Sequence, residues 1–155
     1  MVEWLSSIYE NLDVKGILKD YYKEHLEGTD VRYIGDSAHP AYTQHGLYAT
    51  KQWNPFDVIG EYTGEVIDEF RQGDYVISFS NISFRICLDA QNVGNECRFI
   101  NHYKNIRERP NCKYVMTYIN CKPTILVVVT ETIFVDDEIL IDYSYDVWGW
   151  GGEGR

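Results

Sequence analysis

The chain has 155 residues, 45% of them hydrophobic and 25% charged, enough for one domain with its own core. Its 14 basic against 24 acidic residues leave a formal net charge of −10, which argues against a phosphate-neutralising nucleic-acid surface and favours a basic partner. The longest apolar run, Ile125 to Val129, is too short to cross a membrane, and the N-terminus lacks the basic start and apolar stretch of a signal peptide.

Residues 1–30 form the first segment, and its spacing predicts helices. Leu5, Ile8 and Leu12 recur at helical intervals, followed by Ile17-Leu18, Tyr21-Tyr22 and His25-Leu26. Asp13 suits a cap and Gly28 a stop. From residue 31 to 146 the pattern changes to short β-like runs: "GLYAT", "VIGEYTGEVI", "YVISFS", "FRICLD", "KYVMTYI", "TILVVVT" and "EILIDYSY". Gly, Asn, Asp and Pro separate these runs, and Tyr75-Val76-Ile77-Ser78-Phe79 alternates. No long helical period interrupts them, so the expected fold is mainly β, in several small antiparallel sheets. Residues 147–155 are an aromatic and Gly-rich tail.

The cysteines, Cys87, Cys97, Cys112 and Cys121, form no C-x-x-C pair and no zinc spacing. Free thiols fit a reducing compartment, so the chain is expected inside the cell, in the nucleus or cytoplasm. Phosphate loop, dinucleotide fingerprint and nucleophile elbow are all missing, and His25, His39, His45 and His102 show no ligand spacing. The 13 tyrosines stand out, several beside Gly or acidic residues, as in "GEYTGE", "GDYV" and "IDYSYD". Most suit a core, and a few suit a narrow, polar-tipped channel. In "CRFINHYKN", residues 97–105, Asn101-His102 follows Phe99-Ile100 with no Gly or Pro between. Two polar residues in such a segment are costly unless hydrogen-bonded.

"LDAQNVGNECRFINH" resembles the signature of the SET domain, and "DEILIDYSY" is similar to that family's closing motif. "HGLYAT" and "VIGEYTGEVI" match its opening motifs in order, so the resemblance covers roughly residues 42–146. It implies a SET-domain fold with a C-terminal pseudoknot, and protein-lysine N-methyltransferase activity using S-adenosylmethionine and releasing S-adenosylhomocysteine. The implied partner is a basic protein, best a histone tail, whose strand adds to a sheet edge; neither a nucleic acid nor a membrane is implied.

The resemblance carries over residue by residue. Tyr143 matches the catalytic tyrosine. Tyr62, and with looser spacing Tyr75, match residues lining the lysine channel. Gly46, Leu47, Tyr48, Asn101 and His102 match cofactor-binding positions, and Trp148 or Trp150 would stack on adenine or close the channel. Glu138 and Asp142 are expected as structural or surface carboxylates. Ile141 falls where relatives carry Tyr or Phe; with neither ring nor hydroxyl it implies a roomier channel end and a dimethyl or trimethyl product. Tyr103-Lys104 after Asn101-His102, and a tail without cysteine, imply a zinc-free domain with no metal and no Cys-rich flanking modules. Cys112, in "RPNCKY", is expected as a buried thiol. Gln44 replaces the first glycine of the usual Gly-x-Gly, the one feature that favours a catalytically inactive, SET-like module binding basic peptides. Tyr143, Asn101 and His102 favour the active enzyme.

Overall fold

The computed structural model describes residues 26–68, 73, 75–78 and 86–143. The expected helices up to residue 25, and the tail with Trp148 and Trp150, lie outside them. The described chain packs as two compact units: Leu26–Tyr62 with the described part of Glu96–Arg155, and the described part of Thr63–Asn95. The first strands of the larger unit are β1 (Thr29–Tyr33), β2 (His45–Ala49) and β3 (Val58–Glu61). The smaller unit holds β4 (Glu65–Asp68), β5 (Val76–Ser78) and β6 (Ile86–Asp89). Back in the larger unit come a 3-10 turn (Glu96–Phe99), β7 (Asn101–His102), β8 (Cys112–Ile119), β9 (Lys122–Val129) and β10 (Leu140–Ile141). Thr29 and Asp30, placed with the N-terminal segment by the sequence reading, belong to β1.

The longest ladder is the β8–β9 hairpin, in register from Cys112↔Val129 to Ile119↔Lys122. Asn120 and Cys121 connect it with φ values of 51° and 64°, the paired positive φ of a tight turn whose twist matches the strands. β9 is central in the sheet β3-β9-β8. Its Ile125, Val127 and Val129 are buried, which follows from the two-residue period of a strand.

β2 is paired on both edges. β1 runs antiparallel to it from Thr29↔Ala49 to Tyr33↔His45. On its other side the Ile139 N–H donates to the Leu47 carbonyl at 2.8 Å, and the Ala49 N–H to the Asp137 carbonyl at 2.9 Å. The chain then enters β10, which pairs with β7 as Leu140↔Asn101 and Ile141↔His102. This is the one parallel pair among the described residues, where the chain leading to Tyr143 crosses to lie beside Asn101-His102. Ile139, Leu140 and Ile141 are all buried; a continuous apolar run suits a parallel element covered on both faces.

In the smaller unit β6 pairs with β4 and β5, both antiparallel. A Cβ on Gly64 would lie 2.8 Å from the Asp89 carbonyl, so the glycine of "EYTGE" is required by close approach to the backbone of "LDA". "VIGEYTGEVI", read in sequence as one β-like run, therefore divides into two strands that belong to different sheets.

Candidate active site

Asn101 lies on β7, beside β2. Its Nδ2 donates to the His45 carbonyl at 3.1 Å and to Glu138 Oε1 at 2.9 Å. Both partners are acceptors only, which assigns the amide: the nitrogen faces them, and Oδ1 faces away as an acceptor. Glu138 is no surface carboxylate. Its side chain is 8% exposed and also receives His39 Nε2 on Oε2 at 2.8 Å. The Tyr48 phenol lies near the same carboxylate. Burial, and then the negative charge of Glu138, push the Tyr48 phenol above its ordinary range, while Arg32 acts the other way. Gly46 fits beneath this array because it has no side chain. A Cβ there would meet Glu138 Oε1 at 2.6 Å and Asn101 Nδ2 at 3.2 Å.

Leu47 is fully buried, and its carbonyl is taken by Ile139, so the Leu47 side chain serves the core. β2 thus contributes to the site a glycine beside Glu138 and Asn101, and the phenol of Tyr48.

His102 ties the other half together. Its Nδ1 accepts the Tyr143 backbone N–H at 3.1 Å, so the neutral ring carries its proton on Nε2. Asp142 Oδ1, 3.8 Å from that same Nδ1, is too distant for a hydrogen bond. The ring lies 5.4 Å from that of Tyr143, tilted by 30°. The Tyr143 hydroxyl donates to the Ile100 carbonyl. Its proton is thereby engaged, and the oxygen keeps lone pairs for a further donor.

Tyr62, 3% exposed, meets Tyr114 edge to face, with centroids 5.7 Å apart. Burial first, then the neighbouring Tyr62 and Tyr143, push the Tyr114 phenol well above its ordinary range. Tyr114 therefore joins the buried Tyr62 and the exposed Tyr143 in one aromatic cluster. No sequence motif marks it. Its signal is the period of β8, which sets Cys112, Tyr114 and Met116 on one face. Ile141 is buried on β10. Tyr75 lies in the smaller unit immediately before β5, where its carbonyl accepts the Ala90 N–H at 3.0 Å. Trp148 is outside the described residues.

Asn111 holds the crossing. It is 0% exposed. Its Nδ2 donates to the Glu138 carbonyl at 2.9 Å, and its Oδ1 accepts the Leu140 N–H at 2.8 Å. Its backbone N–H donates to the Leu140 carbonyl at 3.1 Å, and its carbonyl accepts the Thr130 N–H at 2.8 Å. One side chain thus fixes the strand that leads to Tyr143.

Cys97 and Cys112 are buried free thiols, and burial pushes both far up, so Cys112 is the buried thiol expected from sequence. Among the described residues no group of three or more His, Cys, Asp or Glu could hold a metal ion.

The SET domain family profile matches residues 44–144. The chain is 32% identical over 111 residues to "Histone-lysine N-methyltransferase, H3 lysine-4 specific" of Neurospora crassa, an alignment covering 65% of this chain and 8% of that protein. It is 31% identical over 111 residues to "Histone-lysine N-methyltransferase trr" of Drosophila melanogaster, covering 66% and 4%. It is 28% identical over 113 residues to "N-lysine methyltransferase KMT5A-A" of Xenopus laevis, covering 64% and 32%. The chain therefore spans less than two thirds of the length of each of these relatives. The fold matches that in the polycomb repressive complex 2 of Chaetomium thermophilum, with a TM-score of 0.63 at 20% identity over 78% of this chain and 16% of that one. It also matches a structure of polycomb repressive complex 2 bound to S-adenosylmethionine, with a TM-score of 0.62 at 23% identity over 77% and 15%. With β2, Asn101-His102 and Tyr143 all inside the matched segment, the chain belongs to the SET domain family.

Proposed function

We propose that this SET domain is a protein-lysine N-methyltransferase that uses S-adenosylmethionine and acts on a basic protein, best a histone tail. The observation that carries the reading is the Tyr143 hydroxyl, held on the Ile100 carbonyl beside His102 and within the aromatic cluster of Tyr62 and Tyr114. The net charge of −10 favours a Lys- and Arg-rich partner, and the relatives are named as lysine methyltransferases.

The residues suit the donor. Asn101 Oδ1 presents an acceptor to the α-ammonium of an amino-acid end, and the missing Cβ of Gly46 leaves the backbone approachable. When bound, S-adenosylmethionine supplies an activated methyl on a sulfonium; the other tasks fall to the chain. A lysine ammonium must lose a proton, against a reference pKa of about 10.4. The buried Tyr62 and the Tyr114 beside it disfavour the charged amine by desolvation. The Tyr143 oxygen, its own proton engaged, accepts an N–H of the neutral amine and orients the nitrogen lone pair. No strong base is needed at Tyr143, since water carries the proton away. Ile141 replaces an aromatic ring at the channel end, which favours addition of more than one methyl. The cell nucleus, or the cytoplasm where new histones are made, suits this activity.

Radiolabelled methyl transfer from S-adenosylmethionine onto a panel of histones and peptides tests the reading, with mass spectrometry locating the acceptor. Labelled lysine is the expected result. Donor binding without transfer to any lysine would instead favour the peptide-binding module that Gln44 suggests.

A further inference from the structure

We propose that His39 is a positioning residue for the amino-acid end of the methyl donor, acting through Glu138 on Asn101; this rests on the role given to Asn101 above. His39 lies in the β1–β2 connection, outside the family match at residues 44–144.

The tautomer of His39 follows from its contacts. Nδ1 accepts the Ala41 N–H at 3.0 Å, so the neutral ring carries its proton on Nε2, which donates to Glu138 Oε2 at 2.8 Å. The two side chains are only 11% and 8% exposed, and a hydrogen bond to a carboxylate gains strength in such a place. The connection is braced to hold the ring there. The His39 N–H donates to the Asp36 carbonyl at 3.1 Å, and the His39 carbonyl accepts the Tyr42 N–H at 3.0 Å. Ile34 and Gln44 close its base through an N–H···O bond of 2.8 Å.

Glu138 links two sides of the site. One oxygen receives His39 and the other receives Asn101, while the Tyr48 phenol lies near this carboxylate. Arg32, the cation over the Tyr48 ring at 5.2 Å, is already paired with Asp136 at 2.8 Å and Asp30 at 3.2 Å. Without His39 the Oε2 atom loses its neutral donor. The carboxylate is then no longer pinned from the side opposite Asn101, and the Asn101 amide keeps the His45 carbonyl but loses a fixed second acceptor.

Calorimetry of the whole chain with two ligands tests this. S-adenosylhomocysteine carries the amino-acid end, and 5′-methylthioadenosine lacks it. His39→Ala is expected to weaken the first about tenfold, the loss of one hydrogen bond to a charged group, while leaving the second unchanged. His39→Gln keeps one donor and one acceptor and should recover most of the affinity. In an Asn101→Ala background, His39→Ala should add no further loss. His39→Leu keeps the bulk without the donor and serves if the alanine variant does not fold. Equal weakening of both ligands, additive losses with Asn101→Ala, or unchanged S-adenosylhomocysteine affinity would each overturn the positioning role. A wild-type chain that binds neither ligand would overturn the methyl-donor reading itself.

Discussion

Replacing Asn111 with alanine should loosen the crossing that delivers Tyr143. The side chain makes two hydrogen bonds, to the Glu138 carbonyl and from the Leu140 N–H, and both Asn111 and Leu140 are 0% exposed. Truncation therefore leaves the buried Leu140 N–H and the part-buried Glu138 carbonyl without these partners. Each such orphan costs about 1–3 kcal/mol, so the expected loss is about 2–6 kcal/mol, a large part of the roughly 5–15 kcal/mol that holds a domain together. Urea melts followed by circular dichroism should show a lower midpoint at an unchanged slope. Asn111→Asp sharpens the test. Protonated, the carboxyl offers the same donor and acceptor as the amide; ionised, it turns a buried charge toward the Glu138 carbonyl. Burial raises its folded pKa above the unfolded value of about 3.9, so the stability it contributes is full below that value and is lost as pH rises through the folded one. Relative to wild type at each pH, the Asp variant should thus be less stable at neutral pH than in acid. A loss below about 1 kcal/mol for Asn111→Ala, or the opposite pH trend for Asn111→Asp, would refute the reasoning.

Gly46→Ala places a Cβ 2.6 Å from Glu138 Oε1, an atom that cannot retreat without giving up its donors. It should cost about 1–3 kcal/mol and weaken S-adenosylhomocysteine binding, and unchanged calorimetry and melting would contradict the close approach. A mass-spectrometric time course should show dimethyl- or trimethyl-lysine from the wild type and a shift toward monomethyl-lysine with Ile141→Tyr; monomethyl-lysine alone from the wild type rules out the roomier channel. Maleimide should label Cys121 in the folded chain, and Cys87, Cys97 and Cys112 only after unfolding. Because burial raises the Cys97 and Cys112 thiols, their contribution to stability is full below the unfolded thiol value of about 8.5 and is lost as pH rises above it. The Tm should fall across that range, and a Tm unchanged up to about pH 10 would contradict the burial argument.

Strands rich in β-branched and aromatic residues were legible in the sequence. "KYVMTYI" and "TILVVVT", with that composition, became the β8–β9 hairpin. The opposite case is "EILIDYSY", of which only Leu140 and Ile141 form a strand. That strand exists because it pairs in parallel with Asn101 and His102, a partner that no local pattern announces. The same limit explains the site. Asn101, His102 and Tyr143 were visible through ordered motifs, whereas Asn111 and His39 owe their roles to backbone groups and a carboxylate far away in sequence. Of the two readings open to Glu138, structural or surface carboxylate, its 8% exposed side chain fits the structural one. Its carboxylate is held there by donors from the β1–β2 connection and β7.

The most direct test of the account is methyl transfer by the wild type and by Tyr143→Phe, measured beside S-adenosylhomocysteine affinity for each. The wild type should label lysine in a histone or histone-tail peptide. Tyr143→Phe keeps the ring and the His102 contact to its backbone but loses the hydroxyl held by Ile100. Its turnover should fall about a hundredfold or more, as when a preorganised group is removed from an active site, with donor affinity nearly unchanged. A Tyr143→Phe enzyme that turns over at close to the wild-type rate, or a wild type that binds the donor and labels no lysine, would contradict it.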